Sequence, residues 1–227
     1  MTISDPNLPH LRCIAQALGH LREQMVFVGG AVAGLLITDP AAEKVRATRD
    51  VDALVSTARG NFHRIEKQLA LQGFAPDSTS DVICRWIHRD SGLQFDLMPV
   101  ETEVLGFSNR WYPYAAETAV LVDVGEGIVV RLVSAVAFVA TKLEAFADRG
   151  GGDFLLSHDL EDVMNIVDGR EELVAELAAS PAELRQSVAD ALAALCAQPG
   201  FLNALPGLLT DPGRAALVLA RLTRMSV

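Results

Sequence analysis

The stretch "MVFVGGAVAGLLIT", Met25 to Thr38, followed by "RDVDALV", Arg49 to Val55, decides how this chain is read. Four apolar residues before two glycines predict a short buried strand ending in a turn. "AVAGLLIT" predicts a helix starting there, and "RDVDALV" a second strand. A glycine turn between strand and helix admits a phosphate, because a Cβ there would collide with the ligand or forbid the turn. Gly29 and Gly30 are therefore candidates for backbone contact with a phosphate. In an extended strand alternate side chains share a face, so Asp50 and Asp52 project together, with Cα atoms about 6.5–7 Å apart and Val51 on the other side. Two carboxylates so spaced can converge on a hard divalent cation, Mg²⁺ or Mn²⁺. One aspartate alone would read as an exposed strand end; a same-face pair on an apolar strand needs compensation for its repulsion.

A third carboxylate lies further along. In "LQFDLMPV", Leu93, Phe95 and Leu97 point one way and Gln94, Asp96 and Met98 the other, so Asp96 interrupts an otherwise internal strand. A lone buried charge is costly and demands a partner. If this strand lies beside the Asp50 strand, three carboxylates meet, and two metal ions about 3.5–4 Å apart suit such a cluster. The competing partner for Asp96 is a cation such as Arg85.

Around these stretches the pattern mixes strands and helices. "LPHLRCIAQALGHLRE" has helical periodicity, and "NFHRIEKQLALQGF" predicts a helix closed by Gly73 as C-cap. "DVICRWIHR" and "LQFDLMPV" predict a hairpin about Asp90, Ser91 and Gly92, and "VLVDVGEGIVVRLV" a second one. After Ser134 every periodic segment is helical: "SAVAFVATKLEAFADR", "HDLEDVMNIVDG", "SPAELRQSVADALAALC" and "DPGRAALVLARLTRM". Ser180, Pro181 and Glu183 read as N-cap, N1 and capping box of the third, and "RGGGD", Arg149 to Asp153, as a loop. The expected fold class is mixed α/β (α+β): a core at 1–131 carrying the Gly-Gly and Asp-x-Asp motifs, then a helical region at 132–227.

Half of the 227 residues are hydrophobic, enough for one large core or a domain with a helical annex. No apolar run reaches membrane-spanning length, and the N-terminus has no basic region followed by an apolar core, so no secretory signal is expected. Cys13, Cys84 and Cys196 have no metal-ligand spacing and read as ordinary thiols of a cytoplasmic protein. A net charge of −10 argues against broad nucleic-acid binding, though not against a local basic groove or nucleotide binding through metal ions. His10, His20, His63, His88 and His158 show no ligand spacing, and His158 reads as a cap residue. Trp86 reads as core, while Trp111 and Tyr112 are candidates for stacking on a base.

"FVGG", then "RATRDVDALV", then "LQFDLMPV" resembles the nucleotidyltransferase superfamily, whose pattern is Gly-Gly or Gly-Ser, acid-x-acid, and a later strand acid. The Arg-x-Thr-x-Asp-x-Asp form, Arg46 to Asp52, is similar to the AbiEii-type group of bacterial nucleotidyltransferase toxins. That group also has a helical Lys, Arg and Asp-Leu-x-Asp motif, matched here by Lys142, Arg149, Asp159 and Asp162. The resemblance covers roughly residues 25 to 170. It implies an enzyme moving an NMP from an NTP to an acceptor, with Asp50, Asp52 and Asp96 as metal ligands. It further implies nucleotide contacts from Gly29, Gly30, Thr48, Lys142 and Arg149, and an Asp159 that orients Lys142 or assists the acceptor. RNA, particularly the 3′ end of tRNA, and an antitoxin protein are the implied partners; a small molecule, as in antibiotic-modifying relatives, is the alternative acceptor. The family often has Ser near the glycine pair and a base soon after. Here Ala31, Val32 and Ala33 follow and no base occurs before Lys44, which leaves backbone N–H groups and the helix N-terminus to meet the phosphates.

Lys142 and Arg149 are seven residues apart, hence on nearly one helix face. A Lys142 that neutralises β/γ-phosphate charge should be replaceable with little loss of stability; the competing reading is a solvated basic face, with Asp159 and Asp162 as charges at a helix N-terminus. Two rival classes remain. A dinucleotide-binding domain accounts for Gly29, Gly30 and Gly34, but Ala31 stands where the second fingerprint glycine belongs and Asp96 has no role. A non-catalytic module keeps the acids as salt bridges. Metal-dependent nucleotide binding separates both from the enzyme.

Overall fold

In a computed structural model, which describes residues 5–42, 45–106, 108–149 and 153–227, the predicted pattern becomes seven strands and eleven α-helices among the described residues. Lys44, the glycines of the Arg149–Asp153 loop and the first four residues lie outside the described residues. In chain order the first half runs α1 (Leu8–Ala17), β1 (Met25–Val28), α2 (Ala33–Leu36), β2 (Asp50–Val55), α3 (Arg59–Leu71), β3 (Phe74–Pro76), β4 (Arg85–His88) and β5 (Gln94–Pro99). Then come α4 (Thr102–Leu105), α5 (Tyr112–Glu117), β6 (Val120–Asp123) and β7 (Val129–Leu132). Helices follow: α6 (Ala135–Asp148), α7 (His158–Gly169), α8 (Leu173–Ala178), α9 (Ala182–Cys196), α10 (Pro199–Ala204) and α11 (Ala215–Met225). The mixed α/β class expected from the sequence is the one found.

The chain forms two compact units, one of Pro6–Val32 and Arg46–Ser134, the other of Met1–Asp5, Ala33–Val45 and Ala135–Val227. The first holds all seven strands as one mixed sheet in the order β3-β4-β5-β2-β1-β7-β6. β2 pairs in parallel with β5 and β1 with β7, while the remaining neighbours are antiparallel. Val51 lies opposite Phe95 and Ala53 opposite Leu97, and all four are fully buried. Phe74 packs on Phe95 with ring centroids 5.5 Å apart. Each large apolar side chain buried this way contributes about 1.5–3 kcal/mol. That apolar face anchors the sheet, and the register it imposes directs Asp50, Asp52 and Asp96 to the opposite face.

The hairpin between β4 and β5 turns as expected, with Gly92 at φ +70° and His88 donating its N–H to Leu93 at 2.9 Å. Several elements are shorter than their patterns suggest. The strand expected from Asp81 begins only at Arg85, and the first helix ends at Ala17 and continues as a 3₁₀ segment from Gly19 to Gln24. The helix expected over Ala31–Thr38 is a 3₁₀ turn, Gly30–Val32, and the single turn α2. A helix so short carries little macrodipole, so phosphate attraction there falls to individual N–H groups.

The second unit is helical and is built around α7, whose Leu160, Val163, Met164, Ile166 and Val167 are buried. The segment after Val32 joins this unit: Thr38 and Asp39 donate their backbone N–H groups to the carbonyl of Gly169, each at 2.9 Å. Arg214 ties Asp39 to Asp168 with 2.6 Å contacts to both. Pro181, at ψ 142°, is the N-cap of α9; Ser180, expected as the cap, instead donates its hydroxyl to the Leu177 carbonyl and closes the preceding helix. Similarly Ser157, not His158, caps α7, its hydroxyl accepting from the Leu160 N–H at 3.2 Å. Among the described residues no single helix is long and apolar enough to cross a membrane.

Candidate functional site

Parallel pairing of β2 with β5 puts Asp52 opposite Asp96, and antiparallel pairing of β4 with β5 puts Arg85 opposite Asp96 on its other side. Val28 of β1 lies opposite Asp52. One rung of the sheet therefore reads Arg85, Asp96, Asp52, Val28, with Asp50 one pleat away on the same face. A ligating oxygen from each of Asp50, Asp52 and Asp96 lies within 4.8 Å of the others. Three carboxylates so grouped are a hard-oxygen donor set of the kind that can hold a metal ion.

Arg85 answers the question of Asp96's partner. Its Nε donates to Asp96 Oδ1 at 2.8 Å and its Nη2 to Oδ2 at 2.7 Å, and Nη2 also reaches Asp50 Oδ2 at 3.5 Å. The ion pair and the carboxylate cluster thus coexist on one residue. The hydrogen bonds to Asp96 hold the guanidinium proton more firmly than usual. Next to it, burial and then the charges of Asp96 and Asp52 push the Cys84 thiol up to about 12.

Asp50 is placed from its own strand. Thr48, buried, donates its hydroxyl to the Asp50 carboxylate and accepts from the Asp50 N–H at 3.2 Å. Thr48 is held in turn by Asn7, whose side chain accepts from the Thr48 N–H at 2.8 Å and donates to the Arg46 carbonyl at 2.9 Å. His10 bonds the Thr48 carbonyl at 3.1 Å. The start of α1 thus clamps the approach to β2. Asn7 was not legible as a site residue, since no motif marks a clamp 41 residues away.

Gly29 has φ +72°, a conformation that favours glycine, and a Cβ built there would lie 1.8 Å from Asp52 Oδ2. The sequence assigned that clearance to a ligand; in the structure it is taken by the aspartate. Gly30 opens the 3₁₀ turn beside it.

In the helical unit Asp159 and Asp162, both buried, face Lys142, whose Nζ lies 3.1 Å from Asp159 Oδ1 and 2.8 Å from Asp162 Oδ2. Arg149 reaches the other Asp159 oxygen. Lys142 and Arg149 do share a face, and Asp159 joins them. Lys142, 16% exposed against two buried carboxylates, is not on a solvated face, whereas Arg149 is 73% exposed and Asp159 lies in the first turn of α7. A cavity of about 280 Å³ opens beside Arg149 and Asp159. Trp86 is buried as expected. Trp111, a stacking candidate, is buried with Arg110 over its ring at 4.8 Å, and the Tyr112 hydroxyl meets Met98 Sδ at 3.3 Å.

A larger cavity of about 760 Å³ lies in the sheet unit, with Val26, Leu54, Glu101, Glu117 and Arg131 in its lining. Val26 pairs with Leu54 and with Arg131, one pleat along from Val28 and Asp52. Its floor therefore continues the aspartate face.

Solved structures with similar folds include an antigenic nucleotidyltransferase-like protein from Paracoccidioides brasiliensis. It is 19% identical with a TM-score of 0.54, over 90% of this chain and 93% of that one. JHP933 from Helicobacter pylori is 14% identical with a TM-score of 0.51, over 99% and 94% of the two chains. The fold is thus nucleotidyltransferase-like: a mixed sheet with flanking helices. No family model and no curated protein matches the sequence.

Proposed function

We propose that the protein is a metal-dependent nucleotidyltransferase that moves an NMP from an NTP to an acceptor hydroxyl or phosphate, releasing pyrophosphate. The observation that carries this is the convergence of Asp50, Asp52 and Asp96 on one face of a nucleotidyltransferase-like sheet. Divalent cations held there, Mg²⁺ or Mn²⁺, supply Lewis acidity to the attacking oxygen and charge neutralisation to the triphosphate. The chain's own residues do the rest. Thr48 fixes Asp50, Arg85 fixes Asp96, and the clearance at Gly29 leaves room for Asp52. Backbone N–H groups of the Gly29–Gly30 turn are assigned to phosphate. Lys142 and Arg149 are assigned to phosphate charge as well, with Asp159 holding both. The motif resemblance supports the 3′ end of tRNA as acceptor, and with it a toxin restrained by an antitoxin protein.

A second acceptor class has an observation in its favour. The cavity on the aspartate face carries Glu101 and Glu117 against a single Arg131, and the chain's net charge is −10. That balance suits a small hydroxylated molecule, particularly one bearing an amine, better than a polyanion. Incubation with labelled NTPs, Mg²⁺ and total tRNA separates the classes. Label on tRNA that disappears in Asp52→Asn supports the RNA acceptor. Pyrophosphate release only on adding a small hydroxylated compound supports the other. No nucleotide-dependent transfer or Mg²⁺-dependent NTP binding at all overturns the assignment.

A further inference from the structure

Three aspartates brought within 4.8 Å of one another repel, and among the described residues the Arg85 guanidinium stands against them from inside the sheet. The register that puts Asp96 beside Asp52 also puts Arg85 beside Asp96, so this cation is built into the strand pairing rather than borrowed from a flexible loop. The Arg85 side chain is 18% exposed and that of Asp96 8%, which leaves little solvent or salt to screen the pair. Its fork is bidentate on Asp96 and extends to Asp50 at 3.5 Å, so it touches two of the three proposed metal ligands.

We propose that Arg85 is the resident counter-cation of the triad, a positioning residue that holds Asp96 in place and competes with divalent cations for the same carboxylate charge. The inference rests on reading the triad as a metal site. A carboxylate has about four acceptor positions, so Asp96 can serve the guanidinium and an ion together. The competition is electrostatic rather than steric. Before nucleotide arrives, Arg85 therefore lowers the affinity of the site for a divalent ion.

This assignment has an unusual sign. If Arg85 were only a structural strut, removing it would let Asp96 drift and weaken metal binding. As a counter-cation, its removal strengthens metal binding while transfer falls, because the tightened ion sits on a less ordered Asp96. Lysine keeps the charge but not the planar fork, so it separates the two effects.

The test is Mn²⁺ titration of the full chain without nucleotide at low ionic strength, read by the loss of the free-ion paramagnetic signal. Thermal melts verify that each variant is folded. Arg85→Gln is expected to bind Mn²⁺ more tightly by on the order of tenfold. Arg85→Lys is expected to keep wild-type affinity, with reduced turnover in any transfer assay. Unchanged or weaker Mn²⁺ binding by folded Arg85→Gln overturns the counter-cation role while leaving the metal site intact. If Arg85→Gln does not fold, a gain in affinity in Arg85→Lys as large as that expected for glutamine overturns it, because the charge is still present. No Mn²⁺ binding by wild type or any variant removes the metal site itself and this inference with it.

Discussion

Asp52 and Asp96 stand directly opposite each other in the parallel β2–β5 ladder, so two like charges occupy a position where a sheet normally sets compatible side chains. Directly opposed like charges destabilise a sheet, on the order of the ~0.2–1 kcal/mol that a favourable cross-strand pair contributes. The apolar face beneath, where Val51 and Phe95 are fully buried, holds the register against that repulsion. Stability is spent at this rung in favour of a charge cluster.

Asp52→Asn is therefore expected to raise the stability of the metal-free protein. In EDTA the gain should be about 0.5–1 kcal/mol, or 1–4 °C in Tm for a chain of this size. The same variant should lose the additional stabilisation that Mg²⁺ gives the wild type. Melting curves with and without Mg²⁺ measure both effects. A lower Tm in EDTA, with the metal response intact, would contradict this account of Asp52.

Gly29→Ala and Gly92→Ala form a matched pair. Both glycines have left-handed φ values, +72° and +70°, but a Cβ at Gly29 would strike Asp52 Oδ2 at 1.8 Å while one at Gly92 meets nothing within 4 Å. The left-handed conformation alone costs a non-glycine residue about 1–2 kcal/mol. Gly92→Ala should show that cost only. Gly29→Ala should cost more, because Asp52 must move, and should also weaken Mn²⁺ binding. Chemical denaturation and Mn²⁺ titration of both variants check this, and equal effects on the metal would show that Gly29 does not set the position of Asp52.

Much of this arrangement was legible in the sequence. Strand alternation placed Asp50 and Asp52 on one face, and the glycine of the Asp90–Gly92 turn fixed the hairpin that sets Arg85 against Asp96. The parallel pairing of β2 with β5 was only a condition in the sequence, because no local signal reports which strands become neighbours. Two features left no local trace. The Asn7 clamp on Thr48 acts across 41 residues. The grouping of Ala33–Val45 with the helical unit depends on contacts such as those of Thr38 and Asp39 with Gly169. The misplaced cap at Ser180 has a different cause: Ser-Pro-x-Glu fits the capping pattern, but extended Pro181 takes the cap position itself.

Lys142 and Arg149 should respond differently to replacement. From sequence, a Lys142 that compensates phosphate charge is expected to be replaceable with little loss of stability. In the structure its side chain is 16% exposed and faces two buried carboxylates. Removing one partner of such a cluster typically costs 3–5 kcal/mol, roughly, through the charges left behind. Lys142→Met should therefore destabilise strongly, whereas Arg149→Ala, whose side chain is 73% exposed, should change stability by less than about 1 kcal/mol. Urea denaturation gives both values. A Lys142→Met variant as stable as wild type would mean that the two carboxylates find other compensation, and its turnover would then report on phosphate binding alone.

Burial of Cys84 sets the sign of one pH dependence of the fold. Burial is the main cause, with Asp96 and Asp52 adding to it, that raises this thiol from its ordinary value of 9.0 to about 12. The folded chain then holds the proton more tightly than the unfolded chain. Its contribution to stability is fully present below pH 9 and is lost as the pH rises from 9.0 towards about 12. Other groups titrate in the same range, so the comparison with Cys84→Ala isolates the effect: the variant should lose stability less steeply over that interval. The native thiol should also resist iodoacetamide at pH 8 until the chain unfolds, because the reactive species is the thiolate. Denaturation midpoints from pH 8 to 11 for both proteins provide the check, and parallel curves would show that Cys84 does not carry this dependence.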